Sequence, residues 1–238
     1  MPTETVKSVY WKGVRDAAPF VLVVVPFALL FGVVATEAGL NVVEALGFSV
    51  VVIAGAAQFT ALQLLVDDAP TLIAIVSALA VNLRMAMYSA SLTPHLGAAP
   101  LWQRALVAYF TVDQSYACSV FAFEANPHWT LRHKLAYFFG CVSPICPFWY
   151  LATLVGALAG SAMPDWLALD FAVPITFLAL TAPMLRTPAH MAAALVSVVT
   201  ALALSFLPYS LGLLVAGLAG MMTGAGTEVL LERRGIRT

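Results

Sequence analysis

Val81–His95 reads VNLRMAMYSASLTPH and continues an apolar run that begins near Leu72. An arginine sits close to the middle of that run, and the solvent decides what Arg84 means. Of the 238 residues, 62% are hydrophobic and only 10% are charged. Soluble domains are about 45–50% apolar and about 25% charged. The solvent of this chain is therefore a bilayer. An arginine at the centre of a span costs about 2.5–3.5 kcal/mol on insertion scales, so it must face the bundle interior or a wet cavity. The net charge of −1 gives no reason to expect a nucleic-acid partner.

A hydrocarbon core of about 30 Å needs about 20 helical residues. Eight segments qualify or nearly do: Ala18–Thr36, Ala45–Val66, Thr71–Leu92, Gln103–Phe123, Leu135–Ala159, Leu169–Leu185, Ala189–Leu207 and Tyr209–Ala225. The sixth and eighth are short, and seven or six is the alternative count. The fold class is all-α, a polytopic integral membrane protein of one transmembrane domain over 1–238. Its expected parts are a cytoplasmic or interfacial segment 1–16, a first half 17–125, a cytoplasmic loop 126–134, a second half 135–226 and a tail 227–238.

The first apolar run, Ala17–Ala35, follows Lys7, Lys12 and Arg15 and outlasts the ~7–15 residues of a signal-peptide core, so it reads as a retained span. Before it, Val6, Tyr10 and Val14 recur at i, i+4 and i+8, the pattern of a short interfacial helix; a disordered tail is the alternative. With the N-terminus inside, Lys7, Lys12, Arg15, Arg132, Lys134, Arg186, Arg233, Arg234 and Arg237 are all cytoplasmic, nine of the eleven Lys and Arg. Arg104 falls at an outer edge and Arg84 within a span. The positive-inside rule selects both termini inside.

Two stretches echo one another: PFALLFGVVATEAG (Pro26–Gly39) and PFWYLATLVGALAG (Pro147–Gly160), with QFTAL (Gln58–Leu62) and TFLAL (Thr176–Leu180) following in the same order. Transporters are often built from two such halves. Four spans per half give repeats of one orientation; inverted repeats need an odd number, and so a re-entrant segment. Pro19, Pro26 and Gly32 in the first region and Pro144, Pro147, Pro174 and Pro183 in the second mark broken helices, the sequence pointer to a transport site; ordinary kinking is the competing account.

Arg84, Tyr88, Ser91 and His95 form one helical stripe, with Asn82 and Ser89 beside it. Asp113, in YFTVDQSYAC, is the natural counter-charge, sharing a face with Tyr109 and Tyr116. A static ion pair and a substrate contact are both open readings. Gln58, Thr60 and Gln63 need interhelical partners. Small residues at Ala152, Gly156 and Gly160, and at Ala216, Gly220 and Gly224, form packing faces, one of which could receive a second subunit. Cys118, Cys141 and Cys146 make no ligand cluster and read as small buried residues. No phosphate-binding loop, nucleophile elbow, zinc motif or paired carboxylates occur, so neither an ATPase, an enzyme nor a cofactor is expected.

PFALLFGVVATEAGL, AGAAQFTALQLL, VNLRMAMYSASLTPHL, VDQSYA and LDFAVPITFLALTAPML together resemble the AzlC (azaleucine-resistance) family of branched-chain amino acid permeases, over about Val14–Gly226. The resemblance implies export of valine, leucine or isoleucine across the bacterial inner membrane, with a small AzlD-type membrane subunit as partner. It carries an Asn-x-Arg motif onto Asn82 and Arg84, an aspartate onto Asp113 and a Gln-Phe pair onto Gln58 and Phe59. Met85 stands where relatives have histidine, which removes a protonatable group there. Arg84, Asn82, Gln58, Tyr88, Asp113 and Thr176 are the expected substrate-binding residues, and Asp113 is also the expected ion-coupling residue, carrying a proton. Arg84 suits a substrate carboxylate and Asp113 its ammonium. A non-transporting membrane scaffold or accessory subunit is the alternative. An intramembrane enzyme is a third, weakened by the single aspartate.

Overall fold

The computed structural model describes residues 4–160, 185, 187–207 and 211–233. Among them are eleven α-helices and no strand. They are α1 (Val6–Ala17), α2 (Val21–Glu37), α3 (Val42–Val51), α4 (Gly55–Val66), α5 (Thr71–Val81), α6 (Leu83–Leu96), α7 (Leu101–Phe110), α8 (Asp113–Ala125), α9 (Leu131–Gly160), α10 (Pro188–Ala203) and α11 (Leu211–Arg233). Among the described residues, four apolar helical stretches are long enough to cross a bilayer: Val6–Glu37, Thr71–Leu96, Leu131–Gly160 and Leu211–Arg233. With the shorter apolar helices they make the chain an all-α polytopic membrane protein. The expected sixth span, with Pro174 and Pro183, lies outside the described residues except for Leu185.

Contacts divide the chain into two units, Met1–Phe59 with Val81–Leu167, and Thr60–Ala80 with Ala168–Thr238. The first is built on one helix pair. A Cβ on Gly13 would strike the backbone of Tyr137 and Cys141, and one on Gly140 the carbonyl of Tyr10. Further along, Gly32 faces Thr153 and Ala157, Gly156 faces Leu29, and Gly160 faces Val33 and Thr36. These pairs advance together along both helices, so α1–α2 and α9 run parallel with backbones in contact, as small residues permit. The two echoing stretches are thus parallel neighbours. The Ala152–Gly156–Gly160 face, open to a second subunit on sequence grounds, receives α2 instead.

Polar contacts tie the same end of this pair. The Trp129 indole N–H donates to the Glu4 carboxylate at 2.7 Å, and the Tyr137 hydroxyl donates to Asp16 Oδ2 at 2.8 Å. Lys12 Nζ lies 5.1 Å from the centre of the Trp129 ring. Lys7 and Lys12 therefore share one end of the unit with Arg132 and Lys134.

The prolines and the helix breaks do not coincide as expected. Pro26 lies inside α2, and Pro144 and Pro147 inside α9, without interrupting them. Of the expected breaker prolines among the described residues, only Pro19 marks a change, within a 3-10 turn at Ala18–Phe20. The expected second, third and fourth spans break instead at 52–54, at Asn82 and at 111–112. Hydroxyl groups permit the last of these. Ser115 Oγ accepts from the Val112 N–H at 2.9 Å and lies 3.0 Å from the Phe110 carbonyl, to which it donates. The Thr111 hydroxyl donates to the Val107 carbonyl at 2.6 Å. Buried backbone groups freed by the break thus keep partners, as a break inside a membrane requires.

At that break the chain reverses. Arg84 and Tyr88 meet Asp113, Ser91 meets Tyr116, and His95 meets Phe123, so α6 and α8 run parallel. At its far end His95 Nδ1 lies 3.1 Å from Lys134 Nζ, in the first turn of α9. Since α7 joins the end of α6 to the start of α8, its ten residues, about 15 Å long, must climb back from the one to the other. Gln103–Phe123, expected as one span, is a helical hairpin with both ends on the Lys134 side. His95 and Arg104, the latter expected at an outer edge, therefore lie toward the Lys134 end. Hydropathy sees a run of the right length and cannot see the turn within it.

In the second unit, Gly220 faces Ser197 and Ala193, Gly224 faces Ala193, and Gly212 faces Leu204. α10 and α11 therefore run antiparallel, and the Ala216–Gly220–Gly224 face is also used within the chain.

Candidate functional site

The stripe read from the sequence has a partner at each position. Arg84 Nη2 lies 3.2 Å from Asp113 Oδ2. The Tyr88 hydroxyl donates to Asp113 Oδ1 at 2.9 Å. Tyr88 stacks on Tyr116, centroids 4.1 Å apart and planes 10° from parallel, and the Tyr116 hydroxyl donates to Ser91 Oγ at 3.1 Å. Asp113 is the first residue of α8, where the positive end of the half-helix favours a carboxylate.

The ion pair is neither closed nor complete. The side chains of Arg84 and Asp113 keep 35% and 41% of their exposure. One N–H group reaches one oxygen, without the bidentate fork a guanidinium and carboxylate can form. Two buried atoms beside it have no partner among the described residues: the donor Arg84 Nε and the acceptor Asn82 Oδ1. A buried polar atom without a partner costs about 1–3 kcal/mol. The cluster thus holds one unused donor and one unused acceptor next to a half-open pair of opposite charges.

Gln58 has a different setting. Its Nε2 donates to Ser49 Oγ at 2.9 Å, and Ser49 lies 3.0 Å from the Thr153 hydroxyl; all three residues are fully buried. This triad joins α3 and α4 to α9. Phe59 beside it is buried edge-on against Phe27 and Phe31, at 5.1 and 5.4 Å. The Gln-Phe pair therefore anchors the packing of the α3–α4 break, and among the described residues Gln58 bonds Ser49 rather than Arg84 or Asp113. Tyr109, expected on the face of Asp113, lies on α7 across the break. Its hydroxyl donates to the Val50 carbonyl and meets the Tyr150 hydroxyl at 3.1 Å. Thr176 lies outside the described residues.

Ser49, Thr153, Thr111 and Ser115 were not singled out in the sequence. The available signal was a lone hydroxyl in an apolar run, which at Thr111 and Ser115 also recurs four residues apart. The His95–Lys134 contact had no signal, because a single fourth span puts those residues at opposite ends.

A family model described as AzlC protein matches residues 19–163, more than half of the chain and all of this cluster. The inner membrane protein YgaZ of Escherichia coli (strain K12) is 26% identical over 230 residues, 93% of this chain and 90% of that protein. An uncharacterized membrane protein of Archaeoglobus fulgidus is 32% identical over 218 residues, 90% of this chain and 93% of that protein. No solved structure matches.

Proposed function

This chain belongs to the AzlC family, and from that membership we propose that it exports branched-chain amino acids across the bacterial inner membrane, working with a small AzlD-type membrane subunit. The family and the membrane-protein relatives support a transporter-type role in the membrane. The observation that carries the finer reading is the pair of unpartnered atoms, Arg84 Nε and Asn82 Oδ1, beside the half-open Arg84–Asp113 contact.

A zwitterion supplies what those atoms lack. Its carboxylate accepts from Arg84 Nε and a second guanidinium N–H, a two-bond geometry stronger than the present single contact. Arg84 then releases Asp113 Oδ2. The freed carboxylate takes the ammonium, which also donates to Asn82 Oδ1, while Tyr88 holds Asp113 Oδ1 in place. Arg84 is thus never left without a counter-charge, which matters because an unpaired buried ion is costly. After release, Asp113 either pairs again with Arg84 or carries a coupling proton. Lys7, Lys12, Arg104, Arg132 and Lys134 toward one end of the first unit support a cytoplasmic N-terminus.

The test is efflux of labelled valine, leucine, methionine and alanine from cells expressing the chain with its small partner. Arg84→Ala and Asp113→Asn should each abolish valine efflux while membrane insertion persists. The charge swap Arg84→Asp with Asp113→Arg should stay inactive. Normal efflux from either single variant, or recovery in the swap, would mean that the two residues form a structural pair and no substrate site.

A further inference from the structure

α6 and α7 diverge from the Gly97–Pro100 turn and leave a wedge of about 280 Å³ between them. Its walls are Leu92, Leu96, Leu101, Ala105, Val107 and Ala108. Polar groups in it are few. The Thr93 hydroxyl is already committed to the Ser89 carbonyl at 2.9 Å. At the turn end stands Arg104, exposed, in the first turn of α7 beside the exposed Leu101 and Trp102. Among the described residues its guanidinium has no acidic partner.

We propose that this wedge is a binding site for an anionic phospholipid, with the phosphate on Arg104 and one acyl chain between α6 and α7. Three features select that occupant. An apolar cleft in a membrane protein is filled by hydrocarbon, since an empty one forfeits its dispersion contacts. An arginine at the rim of the hydrocarbon region needs a counter-charge, and its fork matches a phosphate. The end of the unit carrying Arg104 also carries Lys7, Lys12, Arg132 and Lys134, so its field attracts anionic lipid. An amino acid is disfavoured because the wedge has no carboxylate to receive its ammonium. The site is separate from Arg84 and Asp113.

The experiment is lipid retention by the purified chain, read by native mass spectrometry. Phosphatidylglycerol, phosphatidylcholine and glycerol phosphate are added separately in neutral detergent. Phosphatidylglycerol should be retained over phosphatidylcholine, and glycerol phosphate, which has no acyl chain, should not bind. Arg104→Gln should reduce the phosphatidylglycerol preference about fivefold, the equivalent of one basic side chain at an anionic surface. Ala108→Trp, which fills the wedge from a tolerant exposed position, should abolish retention, with helicity by circular dichroism unchanged. Equal retention of the two lipids by the native chain would overturn the proposal. So would undiminished retention by both variants, or displacement of the lipid by the small subunit together with crosslinking of that subunit to a cysteine at position 105.

Discussion

Asp113 has one partner on each oxygen, Arg84 on one and Tyr88 on the other, and these two contacts help keep a carboxylate at membrane depth. Tyr88→Phe removes one charge-assisted hydrogen bond, worth about 1.5–3 kcal/mol. Valine efflux should fall by at least about tenfold on that scale, with the expression and monodispersity of the protein unchanged. An unaltered rate would remove Tyr88 from the site. Gln58 belongs to a different class of buried polar residue. Gln58→Ala should lower thermal stability in detergent by about 1–3 kcal/mol, because Ser49 Oγ loses the Gln58 donor and keeps only Thr153. The concentration dependence of efflux should change little, whereas a large rise in half-saturating valine with unchanged stability would return Gln58 to the substrate path.

The helices obey two rules at once. Where backbones touch, as at Gly32 and Gly156, only hydrogen fits on the Cα. Gly156→Leu should separate α2 from α9 and destabilise the protein by more than the ~1–3 kcal/mol typical of overpacking, read as a lower unfolding temperature or loss of monodisperse protein. Where helices stop, side-chain hydroxyls replace the missing backbone partners. Ser115→Ala leaves the Val112 N–H and the Phe110 carbonyl short of a partner. It should cost about 1–3 kcal/mol and reduce efflux as well, because Asp113 begins the helix that Ser115 caps. A stable, fully active Ser115→Ala protein would show that the break does not depend on that hydroxyl.

For the whole molecule, the parallel α1–α2 and α9 pair is the reference against which every direction in the first unit is read. The hairpin of α7 and α8 makes a prediction that a single span does not. Cysteines at Ser8, Leu101 and Glu124, in a Cys118→Ser background, should all react with an impermeant maleimide from the same face, in inverted vesicles and not in intact cells. Opposite labelling at positions 101 and 124 would restore a crossing helix.

Composition alone determined the solvent, and the solvent determined that every helix must be apolar and every buried charge must have a purpose. Arg84 and Asp113 were legible as partners because only a few polar residues stand in these runs and both lie at mid-run depth. Direction was not legible. An apolar run of about twenty residues is equally satisfied by one crossing or by two half-helices that turn back. The choice rests on whether the freed backbone groups find hydroxyls, as they do at Thr111 and Ser115, and on the neighbours that receive each half. Those contacts join residues far apart in the chain, such as His95 with Lys134 and Ser49 with Thr153. Hydrophobicity is a property of each residue and can be read one residue at a time. The partner of a buried polar atom is a property of the packed whole, and only the tertiary structure decides it.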